Sequence, residues 1–193
     1  EEPGHDDGWT STVDLDRSFF AQHPWSLTGG GAAELRQRIE RGSHRTLGDV
    51  IAGKIGFASF PGADDCFFAP EHALRRDGVP DALRRPVVTG EVVRDWAVED
   101  GGWALVPYSM TDATLVPLDE SASWAKRQWP NRTTLGSVTG FAGVTRAEAD
   151  EPWWGWYRWV PERYRVPLSI GFAFVATHNH FVLDRGGKVF NRS

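Results

Sequence analysis

The chain has 193 residues, of which 40% are hydrophobic and 12% aromatic, so it can bury a core and wholesale disorder is excluded. The sequence shows no apolar stretch of membrane-spanning length and no signal-peptide pattern, and its single cysteine, Cys66, cannot form an internal disulfide. We therefore expect a cytoplasmic protein without a membrane partner.

The net charge of −5 is unevenly distributed. Residues 1–34 carry seven carboxylates against Arg17, a net charge of −6, so residues 35–193 carry a net charge of +1. The basic residues are 18 arginines and three lysines, and arginine suits bidentate contacts to phosphate and guanine. Biased codon usage explains this preference equally well, so nucleic-acid binding stays open at this point.

The first predicted elements are an acidic arm and a helix. Residues 1–24 are polar and aperiodic, which indicates a linker or a loosely docked arm. Beyond them Ala32, Leu35 and Ile39 share one helical face, and Gly42 ends the helix. The other sides carry basic residues that form either an ordinary solvated face or a phosphate-binding surface: Arg36, Arg38 and Arg41, with Arg45 just beyond.

The next segments predict strands around a tight loop. "DVIAGKIGFASF" (49–60) and "CFFAP" (66–70) are typical of strands, and "PGADD" (61–65) joins them. The loop residues Gly62, Asp64 and Asp65 fit simple turn chemistry. They also fit a rigidly held loop that reads a ligand.

Short elements follow along the chain. Residues 81–96 predict helical turns interrupted by a proline, residues 102–109 and 114–120 predict strands, and residues 145–152 predict a helical turn that ends at proline. "SASWAKRQW" (121–129) predicts a helix capped by Ser121 or Ser123.

The last third is rich in aromatic and β-branched residues. "WWGWYRWVPERYR" (153–165) holds too many rings for one buried strand face, so part of it should be exposed. The apolar run at 166–184 predicts strand, and a turn at Arg185–Gly187 predicts that "KVF" pairs back as a hairpin. Strands and helices intermix without regular alternation, which favours an α+β fold with a mixed, twisted β-sheet.

No motif for chemistry is visible. "HNH" at 178–180 lacks the spacing of the nuclease motif, and its two histidines lack a third metal ligand nearby. Phosphate-binding loops, a dinucleotide fingerprint and a nucleophile elbow are missing from the sequence. We expect neither catalytic residues, nor a metal, nor a cofactor in this chain.

The order of the motifs resembles a known family. The helix, "GFASFPGADDCFF", "VVTGEVVRDW", "WALVPYS", "WWGWYRWVPERYRVPLSI" and "ATHNHFVLDRGGKVFNRS" together are similar to the C-terminal target-recognition domain of class-γ adenine-N6 DNA methyltransferases. These include type IIG restriction–modification enzymes and the methyltransferases of BREX phage-defence systems, of the phage growth limitation kind. The resemblance covers residues 25–193.

The resemblance implies that residues 25–193 recognise double-stranded DNA as a fragment of a longer methyltransferase. Other domains of that parent chain would bind S-adenosylmethionine and carry the Asn-Pro-Pro-Tyr motif, and other phage-defence subunits are further candidate partners. The "Val-Pro-Tyr" at 106–108 lacks the asparagine of that motif. Many members have a lysine where Ser169 stands, so a role for that lysine cannot be transferred.

The predicted DNA-binding residues fall into two groups. Phosphate contacts are assigned to basic residues: Arg36, Arg38, Arg41, Arg45 and Lys54. Base contacts are assigned to side chains that fit base edges: Asp64, Asp65, Asn179 and Arg185. Arg158 and Lys188 complete the set. The resemblance also implies that in the segment at 153–165 the tryptophans mostly support the fold and the arginines mostly face outwards.

Two other functions stay open. A carbohydrate-binding module would stack sugars on a coplanar row of exposed tryptophans. A protein–protein interaction module would use the tryptophans and arginines as hot spots, and a surface without a continuous basic stripe would favour it.

Overall fold

The computed structural model describes residues 3–10, 12, 14, 16–21, 25, 32–51, 55–140, 142–166, 168–176 and 179–191. The chain divides into two compact units, Glu1–Ile55 (unit 1) and Gly56–Ser193 (unit 2). The predicted arm at 1–24 and the predicted DNA-recognition domain at 25–193 stay predictions.

Unit 1 contains a 3-10 turn at Arg17–Ala21 and the helices α1 (Ala32–Gly42) and α2 (Leu47–Val50). The predicted helix is confirmed, including its end at Gly42. Its apolar face is open, because Leu35 is 60% and Ile39 62% exposed. Among the described residues of this unit, no apolar side chain is buried.

The strand predicted at 49–60 is wrong over most of the part that the structure describes. Asp49 lies in α2, where its Oδ2 atom accepts hydrogen bonds from Thr46 N at 2.6 Å and Thr46 Oγ1 at 2.8 Å. This capping interaction starts a helical turn where the apolar pattern alone indicated a strand. Strand structure begins only at Ser59.

Unit 2 combines short helices and short strands. Its helices are α3 (Asp64–Phe67), α4 (Glu71–Arg76), α5 (Ser123–Gln128), α6 (Arg132–Gly136) and α7 (Pro161–Tyr164). Its strands are β1 (Ser59–Phe60), β2 (Arg84–Val88), β3 (Val93–Arg94), β4 (Ala97–Val98), β5 (Trp103–Leu105), β6 (Arg158–Trp159), β7 (Ser169–Phe172), β8 (Phe181–Asp184) and β9 (Val189–Phe190). The helices and strands confirm the α+β fold class.

The strands form several small sheets. In the order β5-β2-β9, β5 is antiparallel and β9 parallel to β2, so this sheet is mixed. The antiparallel pair β1-β6 lies beside it, because a parallel bridge joins Ser59 to Asn191 just after β9. The pairs β3-β4 and β7-β8 are antiparallel hairpins.

The main core of unit 2 lies between these sheets and the helices. Phe67, Leu74, Leu105, Leu135 and Trp156 are almost completely buried. They come from five segments that are distant in the sequence, so the core joins the whole unit. A smaller cluster of Val88, Val93 and Val182 connects the two hairpins to β2.

Two further predictions around the core are wrong. The return strand at 66–70 is replaced by α3, with only Phe68 in an isolated bridge to Ala104. The helical turns at 81–96 are 3-10 turns that flank strand β2. Pro86 is tolerated in β2 although it stands opposite Trp103 of β5, because the Trp103 carbonyl accepts from Ala69 N at 3.1 Å and β9 pairs only with Val87 and Val88.

The remaining strand predictions are partly confirmed. The apolar run at 166–184 forms β7 and β8, which pair with each other. "KVF" does not pair back on β8, because β9 lies parallel to β2 instead. The strand predicted at 114–120 is reduced to one bridge between Leu115 and Tyr108.

The predicted helix at 121–129 is confirmed as α5, but its predicted cap is wrong. Ala122 holds the N-cap position and Ser123 is the first helical residue. The Ser121 hydroxyl donates to Asp119 Oδ1 at 2.6 Å and therefore closes a turn before the helix. At 145–150 the structure has hydrogen-bonded turns, in which Glu148 Oε2 accepts from Thr145 N at 2.7 Å.

Candidate nucleic-acid interface

The basic residues on and just after α1 differ in whether a neighbouring carboxylate compensates their positive charge. Arg36 donates to Glu40 Oε1 at 2.8 Å, one helical turn away, so a carboxylate compensates its charge. Arg41 contacts the Gln37 amide oxygen at 3.4 Å, and Arg45 donates to the Asp49 carbonyl at 3.1 Å. Arg38 is exposed and has no ion pair among the described residues. Among the residues that the structure describes, three of these four guanidinium groups therefore have no carboxylate partner.

Lys54, the fifth predicted phosphate contact, lies outside the described residues. His178 of the "HNH" segment lies outside them as well. Among the residues that the structure describes, no group of three or more His, Cys, Asp and Glu side chains could hold a metal ion.

The 61–65 loop is a tight turn built against the aromatic segment. Gly62 has φ +83°, and a Cβ atom there would lie 2.7 Å from the Cβ of Tyr157. Both the conformation and the close approach therefore require glycine. The turn is fixed further because Tyr157 N donates to Pro61 O at 2.9 Å.

Three predicted DNA-binding residues meet around this turn. Asp64 and Asp65 are exposed at the start of α3, and Asp64 Oδ2 accepts from Asn191 Nδ2 at 2.9 Å. Arg158 stands opposite Phe60 in the β1-β6 pair and is exposed, with no ion pair among the described residues. One guanidinium and two carboxylates are thus exposed in or beside the turn, so its surroundings are mixed in charge.

The predicted residues near β8 are separated. Asn179 precedes the strand and Arg185 follows it, and both are exposed. Six residues of extended chain span roughly 20 Å, so the structure does not bring these two side chains together. Lys188 lies 3.4 Å from Asp184 Oδ1, and that carboxylate is buried. The charge of Lys188 is therefore largely compensated.

The aromatic segment supports the fold through its rings. Trp156 is 1% exposed, and Trp153, Trp154 and Trp159 are half-buried against the core. The indole N–H groups donate to backbone carbonyls: Trp154 to Val116 at 3.0 Å, Trp156 to Leu105 at 3.2 Å and Trp159 to Ala113 at 2.8 Å. These bonds satisfy the only polar group of each ring.

A stack of three rings fixes the end of this segment. Trp159 lies between Tyr108, at 4.1 Å, and Tyr164, at 4.0 Å, with nearly parallel planes. The Tyr164 hydroxyl contacts Ser59 Oγ at 2.7 Å and accepts from Phe190 N at 3.3 Å. Burial raises the pKa of both Tyr108 and Tyr164 to about 12. Both hydroxyls therefore stay protonated at neutral pH.

The arginines of the segment have different surroundings. Arg158 and Arg165 are exposed, whereas Arg163 is half-buried. Arg165 donates through Nε and Nη2 to the Asp112 carbonyl at 3.0 and 2.7 Å. A carbonyl partner leaves the full positive charge in place, so Arg158 and Arg165 are exposed cations beside the ring stack.

The geometry of the rings bears on sugar binding. Trp153 and Trp154 cross at 80°, and Trp156 and Trp159 cross at 90°. Within the described ranges, no coplanar row of solvent-facing tryptophans is present. The described residues therefore do not form the flat tryptophan surface that the carbohydrate hypothesis requires.

The sequence reasoning missed Trp96. It lies at the tip of the β3-β4 hairpin and is 80% exposed. The signal was present in "VVRDWAV" (92–98), where apolar residues flank a short polar turn, but the segment was interpreted as a helical turn. A second missed feature is Arg132, whose guanidinium lies 5.0 Å from the ring centroid of Trp129.

The Cys66 thiol is no nucleophile candidate. Its side chain is buried, and burial raises the pKa of the thiol.

No helix in the described part of the chain has the length and apolarity needed to cross a membrane.

Comparison with known proteins gives one informative result, and no family model matches the chain. The chain is 38% identical over 194 residues to a Streptomyces coelicolor protein, the adenine-specific methyltransferase PglX. The similarity covers 100% of this chain and 16% of that relative. The chain is thus related in sequence, over its whole length, to a part of PglX, and it spans 16% of the length of the curated relative that it matches.

Proposed function

We propose that this chain is the DNA target-recognition domain of an adenine-N6 DNA methyltransferase in a phage-defence system of the BREX or restriction–modification kind. The observation that carries the proposal is the 38% identity, over the whole chain, to a part of an adenine-specific methyltransferase. The catalytic domain that binds S-adenosylmethionine would lie elsewhere in the same parent chain. The recognition domain would bind duplex DNA and position the target adenine.

The surface of unit 2 supports this proposal through a rigid frame with exposed cations. The stack of Tyr108, Trp159 and Tyr164 and the indole hydrogen bonds hold β6 in place. Arg158 projects from β6 beside the 61–65 turn. A rigid frame keeps the entropic cost of ordering a contact low.

Unit 1 supports the proposal through guanidinium groups on and after α1 that have no carboxylate partner in the described part of the chain. Arg38, Arg41 and Arg45 keep their charges, and each charge that neutralises a phosphate releases a counterion. These contacts would be independent of the DNA sequence, whereas Asn179 and Arg185 have the hydrogen-bonding groups for base edges.

A second candidate is a protein–protein interaction module, and the β7-β8 hairpin favours it. Ile170 is 57%, Phe172 46% and Leu183 49% exposed, although all three are large and apolar. A cluster of exposed apolar side chains is typical of an interaction surface. The carbohydrate hypothesis has no comparable support.

The decisive experiment is selection from a pool of duplexes with a randomised core, at low salt of about 50 mM. We expect the chain to enrich a defined motif and to bind it more tightly than a scrambled duplex. Enrichment of a motif would separate DNA recognition from protein docking. Failure to bind any duplex would contradict the proposal.

A domain exchange tests the link to methylation. The matching segment of the Streptomyces coelicolor relative is replaced by this chain, and modified adenines are mapped in cells that express the chimera. We expect methylation at the motif that the isolated chain selects. A chimera that is folded and methylates only the relative's original motif would contradict a role in target recognition.

A further inference from the structure

The tip of the β3-β4 hairpin holds a large aromatic residue in a backbone conformation that disfavours it. Val93 pairs with Val98 and Arg94 with Ala97, which leaves Asp95 and Trp96 as a two-residue loop. Their φ angles are +35° and +74°. Such turns require positive φ at both positions and usually carry Asn-Gly or Asp-Gly.

Folding alone does not explain tryptophan at this position. Glycine would adopt the φ of Trp96 without strain, whereas a side chain there costs free energy. The Trp96 ring recovers little of that cost by burial, because the residue is 80% exposed. A strained and exposed ring at a hairpin tip is expected where the ring itself makes a functional contact.

The neighbouring side chains hold the tip in place. His180 Nδ1 lies 3.3 Å from Asp95 N and 3.2 Å from Asp95 Oδ1, so it accepts from the amide when unprotonated and donates to the carboxylate when protonated. Trp96 stacks on Phe181 at 6.4 Å with an interplanar angle of 27°, and Phe181 contacts Phe172 at 5.8 Å. Trp96, Phe181 and Phe172 therefore form a row of rings, here called the aromatic row.

We propose that Trp96, at the exposed end of the aromatic row, stacks on an unpaired or unstacked nucleobase. This inference rests on the proposed function, and it adds the residue that meets the base. Apolar side chains that enter a base step, and aromatic rings that stack on free bases, are established ways of holding deformed DNA.

One feature disfavours a phosphate at this tip, and two further features fit a groove of DNA. The carboxylate of Asp95 is next to Trp96 and would repel a phosphate, whereas the face of a base carries no net charge. A two-stranded ribbon is narrow enough for the major groove. Asn179, whose amide fits an adenine edge, directly precedes His180, which contacts the tip.

The test compares two probes, a duplex of about 30 base pairs and the same duplex with one unpaired adenine at its centre. The wild-type chain should bind the second probe more tightly, because the cost of unstacking that base is already met. Trp96→Gly should lose roughly 5- to 150-fold in affinity for the unpaired-adenine probe, the range for removal of a base-stacking ring. Its preference for that probe should largely vanish.

Two controls separate stacking from structural damage. Trp96→Gly should unfold at the same or a higher temperature than the wild type, because it relieves strain at a positive φ. Trp96→Phe should restore part of the preference. Trp129→Ala removes another exposed tryptophan and should leave the preference unchanged.

The outcomes are distinguishable. If the wild-type chain binds neither probe at low salt, the proposed function and this inference both fail. If the wild type binds and Trp96→Gly keeps its affinity and preference, only the inference fails, and the ring does not meet a base. A Trp96→Gly variant that unfolds at a lower temperature and loses the same factor in affinity for both probes would assign the ring to the fold, and this also overturns the inference.

Discussion

Two aromatic-rich parts of unit 2 have opposite relations to the solvent. In the 153–164 segment, Trp156 and its neighbours face the core, and their indole N–H groups meet backbone carbonyls. In the two hairpins, Trp96 and Phe172 face outwards, and β7 and β8 turn Gly171 and Val182 inwards. Aromatic residues therefore support the core in the 153–164 segment, here called the frame, and form exposed surface in the two hairpins.

The backbone register explains the difference. Ile170 pairs with Leu183 and Phe172 with Phe181, and cross-strand partners lie on the same face of a hairpin. The opposite face carries Asp184, which is 8% exposed, and Gly171, which lies against the Phe190 ring. The hairpin thus presents its apolar face to the solvent, which is expected of a contact surface rather than of a supporting layer.

The largest expected effect belongs to the frame. Trp156→Ala removes a fully buried ring together with its hydrogen bond to Leu105, and should lower the free energy of unfolding by about 3–5 kcal/mol. Trp129→Ala, which removes a ring that is 47% exposed, should cost far less. Denaturant titration of both variants measures the difference. Equal losses would mean that the distinction between frame and surface is wrong.

The free energy of unfolding that the frame contributes should decrease at high pH. The folded-state pKa of Tyr108 and Tyr164 is about 12, above the ordinary value of 10. A raised pKa means that stability is complete below pH 10 and is lost as the pH rises towards 12. The free energy of unfolding should fall by about 1.4 kcal/mol per pH unit for each tyrosine in that window.

Tyr164→Phe is the control for this alkaline loss. The variant keeps the ring stack but removes one ionisable hydroxyl, so the slope between pH 10 and 12 should fall to about half. Denaturant titrations at several pH values measure the slope, and tyrosinate absorbance follows the ionisation. An unchanged slope would show that Tyr164 does not ionise together with unfolding.

The sequence predicted the frame better than the surface. Ring density in 153–165 predicted only that part of the segment is exposed, and the supporting role of its tryptophans was predicted from the resemblance to the methyltransferase family. Helix α1 followed from its apolar period and Gly42. These features depend on local composition, which the sequence contains.

The features that were missed depend on long-range pairing. The parallel pairing of β9 with β2 joins Val189 to Val87, about a hundred positions apart in the chain, and no local pattern indicates it. Arg146 was not identified either, although it is buried and donates to the Gly155 carbonyl at 2.8 Å. A buried arginine has the same local appearance in the sequence as an exposed one.

The surface arginines should divide into two classes when DNA binding is measured. Arg185→Ala should relax sequence preference and cost about 1–3 kcal/mol at one base pair. Arg38→Ala should instead weaken binding to all sequences about equally and make the salt dependence less steep. Both side chains are exposed, so neither change should unfold the protein.

Titration of cognate and scrambled duplexes over a range of salt concentrations separates these two classes. Arg36→Ala is a matched control on the same helix, because Glu40 already compensates the charge of Arg36. Its effect on the salt dependence should be smaller than that of Arg38→Ala. Identical behaviour of Arg38→Ala and Arg185→Ala would contradict the division into phosphate and base contacts.

The smallest expected effect tests the outward face of the β7-β8 hairpin with two neighbouring residues. Leu183 is 49% exposed, so Leu183→Thr should change the free energy of unfolding by no more than about 0.5 kcal/mol. Val182 is 6% exposed on the inward face, and Val182→Thr buries a hydroxyl at a cost of about 1–3 kcal/mol. Both variants place threonine in the same strand, so the introduced side chain is the same, although β-branching is kept at position 182 and gained at position 183. Denaturant titration of both variants measures the free energy of unfolding and decides between the faces. A loss of stability at Leu183 as large as that at Val182 would mean that the apolar face is covered in the isolated chain. The hairpin would then support the fold rather than form a contact surface.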